Sequence, residues 1–146
     1  MFEHLDALAE ESGKQALLSG LRALPQDRLD QISNAWAPLP SEYLAFLKER
    51  GAGPMEDGFH FLFLDRPLDA VTEVFRDDLI IRNGAIGPVL IIGSDHLGNS
   101  FGFDYGRGGD LLEIAVDREV RVHHLAFREF VEQLITLHPQ LPYARG

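Results

Sequence analysis

Four consecutive aliphatic residues, Val89-Leu90-Ile91-Ile92, run without a polar interruption between Pro88 and Gly93. Such a run predicts a central strand with apolar side chains on both faces. It therefore demands neighbouring strands and a cover on each side. The segments that follow supply candidate neighbours. Residues 95–99 read as a turn, and residues 100–104 alternate Phe101 and Phe103 with small or polar neighbours, as a one-sided strand does. Gly106, Gly108 and Gly109 mark a loop. Residues 111–116 and 120–123 read as a hairpin closed around Asp117-Arg118. Before the central run, residues 59–65 form another aromatic, strand-like segment after the turn signal Asp57-Gly58.

Elsewhere the period is helical. Phe2, Leu5, Leu8 and Ala9 recur at helical spacing before Gly13, and Leu17, Leu18, Leu21 and Leu24 repeat the pattern up to Pro25. Pro25 opens a third candidate carrying Leu29, Ile32 and Trp36. In residues 39–51, Pro40 and Ser41 are start signals, Tyr43, Leu44 and Leu47 share a face, and Gly51 is a natural stop. Ala70, Val71, Val74 and Phe75 predict an inserted helix, ended before the turn Asn83-Gly84. Phe127, Phe130, Val131, Leu134 and Ile135 predict a closing helix. Helices, then a meander of strands with one inserted helix, then a last helix indicate an α+β fold. It is a single domain over residues 1–146, with N- and C-terminal helices packed on a mostly antiparallel sheet.

Charge and composition narrow the function classes. The chain has 146 residues, no cysteine, and 13 basic against 23 acidic residues, a formal net charge of −10. Disulfides and thiolate chemistry are excluded, and a reducing compartment is compatible. The acidity opposes direct binding to nucleic acid or anionic lipid and favours a basic protein partner. The start of the chain has no basic n-region and no long apolar h-region, and the longest apolar stretch, residues 85–93, contains Pro88. These features predict a cytoplasmic protein.

Several residues invite chemical readings. Ser94, Asp95 and His96 are consecutive, but a hydrolytic triad must converge in space, and three neighbours on one turn do so poorly. There is no Gly-x-Ser-x-Gly elbow. Residues 94–96 are therefore read as a polar turn. The glycines at 93, 98, 102, 106, 108 and 109 lead into strands rather than helices, so they fit turns and bulges better than a phosphate cradle. Six histidines include the adjacent His123 and His124, which would point to opposite faces of a strand. No metal site and no cofactor site is predicted. Asp95, Asp104 and Asp110 flank the glycine-rich stretch and are read as turn residues.

The acidic residues are unevenly placed. Glu56, Asp57, Asp65, Asp69, Glu73, Asp77 and Asp78 face only Arg66 and Arg76 across 23 residues, a net −5. Asp69, Glu73 and Asp77 fall four apart and would line one face of the inserted helix, at roughly 0.2–0.5 kcal/mol of repulsion per pair. These seven residues are the candidate partner-binding set.

Three motifs carry a family resemblance. The first is Leu39-Pro40 followed by Tyr43, Phe46, Leu47 and Arg50-Gly51-Ala52-Gly53. The second runs from Ile92-Gly93-Ser94-Asp95 through Gly98-Asn99-Ser100-Phe101 to Phe103-Asp104. The third is Phe127, Phe130, Val131 and Leu134. In this order, over residues 39–137, they resemble the SUKH superfamily, which includes bacterial immunity proteins and the fungal cell-wall assembly regulator. Asn99 stands where relatives often carry an acid, and Arg50 where they often carry Asn. The resemblance implies an α+β domain without enzymatic activity, which in many bacterial members binds and neutralises a cognate toxin, often a nuclease. A scaffold or regulatory role, as in the fungal branch, is the alternative. A hydrolase or ligand-binding enzyme using the stretch from Ser94 to Asp110 is the third reading.

Overall fold

In the computed structural model of the chain, the described residues are 1–36, 39–55, 61–69, 89–104, 110–123, 125–137 and 142. Six strands follow one another as a simple meander, each antiparallel to the next: β1 (Gly53–Met55), β2 (Phe61–Asp69), β3 (Val89–Asp95), β4 (Ser100–Asp104), β5 (Asp110–Ile114) and β6 (Val120–Val122). Among the described residues, four α-helices accompany the sheet: α1 (Leu5–Glu11), α2 (Gln26–Ala35), α3 (Ser41–Glu49) and α4 (Phe127–Thr136). The fold is α+β, as the segregation of periods predicts.

The aliphatic run is β3, and all of Val89, Leu90, Ile91 and Ile92 are at most 4% exposed. Its two faces enter different layers. Ile92 joins the main core between the sheet and the helices, while Val89 and Ile91 join Leu112 and Ile114 in a second apolar cluster on the other face. Ile92 faces the helices by ordinary alternation with Ile91; Ile91 pairs with Gly102 and Gly93 with Phe101, so one residue is extra, a β-bulge that puts Gly93 on the helix side as well, under the Phe61 ring. Glycine is required where the strands approach: a Cβ at Gly102 would collide with the carbonyl oxygen of Leu90, and one at Gly93 would meet the Phe61 ring at 2.7 Å.

The main core is aromatic. Phe2, Phe46, Phe61, Phe63, Phe101, Phe103, Phe127 and Phe130 are all buried in it. Phe61 and Phe101 close over Gly93 with ring centroids 5.4 Å apart, and Phe130 of α4 lies 6.0 and 5.2 Å from the two rings. Tyr43 packs edge-on against Phe103 and Phe127. Each such ring pair adds about 0.5–1.5 kcal/mol beyond the area buried.

The helix ends follow their signals. Gly51 takes φ +94° and its N–H returns to the Phe46 carbonyl, closing α3. The last turn of α4 holds no basic residue, and Lys14 serves it from across the fold, its Nζ donating to the carbonyls of Ile135 (3.0 Å) and Thr136 (3.4 Å). The start of the chain is tied to α3. The Phe2 N–H donates to Glu49 Oε1 at 2.8 Å, and Arg50 donates to the Phe2 carbonyl and to Asp6. The Phe2 N–H is the leading reason that the Glu49 carboxyl titrates below its usual range.

Some expectations are corrected. The pattern Leu17, Leu18, Leu21, Leu24 does not form an α-helix. Only a 3₁₀ turn, Gln15–Leu18, is helical, and the chain then extends so that Arg22 bridges Ala52. Gly20 lies against Pro54, and Leu17, Leu18 and Leu21 reach the core without regular helix, so tertiary packing outweighs the period. The chain around Gly53 and Pro54, without strand periodicity, forms β1 on the edge of β2. β2 runs on past the aromatic segment to Asp69. The helix expected at residues 70–75 lies outside the described residues.

Two substitutions test this packing. Phe130→Ala removes a ring with no exposed surface and should lower stability by roughly 3–5 kcal/mol. In urea titration the midpoint should fall with an unchanged slope. Gly102→Ala forces the β3 and β4 backbones apart and should cost about 3 kcal/mol, read as a drop in melting temperature.

Candidate functional site

The meander sorts the chemistry-bearing residues to opposite ends of the sheet. Met55 pairs with Phe61, Phe61 with Asp95, and Ser100 with Ile114. The β3–β4 turn and the β5–β6 turn thus lie at one end, with the last residue of β1 and the first of β2. Asp69 pairs with Leu90 and Asp104 with Asp110 at the other end.

The β3–β4 turn is organised around Asp95. Its Oδ1 accepts the backbone N–H groups of Leu97 and Asn99, each at 2.9 Å, and its Oδ2 accepts the Asn99 side-chain amide at 2.8 Å. Asn99 Oδ1 in turn accepts the Val116 N–H at 2.9 Å, coupling this turn to the β5–β6 hairpin. Asp95 and Asn99 are each 8% exposed. A buried carboxylate with this many donors is a strong, low-dielectric tie. Asp95 therefore does what a turn aspartate was expected to do. Ser94 pairs with Leu62 and Ser100, one residue out of phase with Asp95, so the two side chains leave opposite faces. His96 is exposed in the turn. The three residues do not converge as a triad would.

The other carboxylates are separated. Asp104 lies about 13 Å along β4 from Ser100, at the far end from Asp95. Asp104 is buried and stands opposite exposed Asp110 in the ladder. Of the acidic candidate set, Asp65 and Asp69 are described. Asp65 is well exposed and within 3.8 Å of Arg28 on α2. Asp69 is the last residue of β2, so it is not on the helical face expected to carry it with Glu73 and Asp77, which lie outside the described residues. A strand ladder to Leu90 holds it in place. Glu56, Asp57, Glu73, Asp77 and Asp78 lie outside the described residues.

One buried pair carries little signal in the sequence. Glu113 on β5 and His123 just after β6 are almost fully buried, with Nε2 and Oε1 3.3 Å apart. The separation fits an ion pair, but His123 Nε2 does not have the alignment of a hydrogen bond. His123 lies 5.8 Å from the Phe101 ring and 5.6 Å from Phe130. Leu111 precedes Glu113 by two and faces the core, so strand parity was the available clue. Enclosed by rings, the pair is placed for cohesion of α4 with the sheet. Among the described residues, no group of three or more His, Asp or Glu could hold a metal ion, and no helix is long and apolar enough to cross a membrane.

No family model matches the chain, and neither a curated protein nor a solved structure matches it.

Asn99 is the position at which the turn is most easily tested. Asn99→Asp keeps the acceptor for Val116 but replaces the donor to Asp95 with a second carboxylate. It should destabilise the protein by about 1–3 kcal/mol at neutral pH. The loss should shrink in acid, where the introduced carboxyl takes up a proton and donates again. Melting curves of both proteins across pH check the sign.

Proposed function

We propose that this chain is a protein-binding domain that neutralises a cognate basic protein, such as a nucleic-acid-degrading toxin, by direct contact in the cytoplasm, and that it performs no chemistry of its own. The observation that carries the reading is the net charge of −10, with an excess of carboxylates over cations that repels phosphate and attracts a phosphate-binding surface. The motif resemblance to SUKH immunity proteins points the same way, and the α+β architecture is the one it implies. A role without catalysis is also supported by the use made of Asp95, whose carboxylate is engaged by its own turn.

The partner is sought by affinity capture from the native host and then purified for kinetics. Asp65 and Asp69 are the described members of the acidic set and lie on one strand. Exchanging both for lysine should slow association with a basic partner by a factor on the order of ten at low salt, with the difference fading as ionic strength rises. The fold should persist, because an exposed pair such as Arg28–Asp65 is worth only about 0–1 kcal/mol. Equal association rates at every salt concentration would remove these two residues from the interface. A captured partner with an acidic surface would defeat the electrostatic reading altogether.

A further inference from the structure

We propose that the tips of the β3–β4 and β5–β6 hairpins form one preorganised docking surface, with Leu97 and Val116 as apolar anchors, for a protein partner that presents an apolar pocket within a basic surface. This rests on the protein-binding reading above and names a face for it.

Leu97 is 56% exposed and Val116 is 63% exposed, the two largest values among the exposed large apolar residues described. They belong to different hairpins but are neighbours: a Val116 methyl lies 3.4 Å from where a Cβ on Gly98 would stand. The fold uses their backbones. The Leu97 N–H is held by Asp95 and the Val116 N–H by Asn99. Any side chain at these two positions would leave those hydrogen bonds in place, and turns ordinarily carry Gly, Asn, Asp or Ser. Leucine and valine are thus not demanded by the turn that holds them.

The surface is also held in shape before any partner arrives. The Asp95–Asn99 tie is buried, and Gly98 takes φ +92°. Arg118 adopts φ +71°, an uncommon conformation for a residue with a side chain, with its N–H 2.7 Å from the Ala115 carbonyl. Glu119 N–H donates to Asp117 Oδ1 within the same turn. Anchors on an already ordered backbone lose little conformational entropy on binding.

The charges at the tip are balanced, Asp117 and Glu119 against Arg118 and Arg121, so the field of the whole chain, at −10, selects a basic surround on the partner. A second copy of this acidic chain is repelled.

The test uses the full chain as bait for a phage-displayed library of random peptides. Enriched peptides should place a large apolar side chain beside Lys or Arg. They should bind the L97S/V116S double variant about tenfold more weakly or worse, while its melting temperature stays that of the parent protein. Amide shift mapping with one enriched peptide on the unaltered protein gives a second readout, with changes expected at residues 96–98 and 115–118. Failure of any peptide to enrich, equal binding to the variant, or shifts centred elsewhere would overturn the proposal. If the mapped surface holds but no basic protein is neutralised, the functional reading falls and the docking surface stands. If a basic protein is neutralised equally by L97S/V116S, the reverse is true.

Discussion

β3 sends apolar side chains to both faces of the sheet, and that requirement organises the rest of the molecule. Val89 and Ile91 form one layer with Leu112 and Ile114, Ile92 alternates into the other, and the bulge opposite Phe101 and Gly102 brings Gly93 to that same face. The bulge works only because Gly93 leaves room for the Phe61 ring and Gly102 leaves room for the Leu90 carbonyl. Phe61, Phe101 and Phe130 then join three separate elements over the space that Gly93 vacates. The cohesion of the helical layer with the sheet follows from this aromatic seam more than from any polar contact.

Several polar interactions among the described residues each have a local task. Glu49 and Arg50 fasten the first residues of the chain so that Phe2 can enter between Phe46 and Phe127. Lys14 closes the end of α4. Glu113 and His123 sit within the aromatic layer, where removing one partner from a buried pair typically costs 3–5 kcal/mol because the other is stranded, about as much as removing a core ring. Asp95 and Asn99 join two turns that would otherwise be independent loops. This last tie has a functional consequence, since it gives one end of the sheet a fixed shape.

The acidic segment shows how a strand can change the meaning of a charge pattern. Spaced four apart, Asp69, Glu73 and Asp77 look like one helical face. Placing Asp69 in the β2–β3 ladder removes the first member of that row. Net charge survives such rearrangement because the long-range field depends weakly on where each carboxylate lies.

How much was legible depended on whether local or distant contacts decided the outcome. α2, α3 and α4 could be read because each combines an apolar stripe with a Pro, Ser or Gly boundary signal. β3 and β4 could be read from the unbroken run and the Phe101–Phe103 alternation, and the role of Asp95 from its place in a five-residue turn. The path of residues 17–24 could not, because leucines at helical spacing also satisfy a 3₁₀ turn followed by an extended segment once Gly20 can lie against Pro54. β1 is a strand only because β2 lies beside it. The sequence alone therefore determined the α+β class, the central strand, the aromatic core and the overall negative field, all of which follow from pattern and composition. Only the tertiary structure decided that Val116 lies against Gly98, that Glu113 meets His123, and that Asp69 belongs to a strand, because each depends on the register between strands distant in the chain.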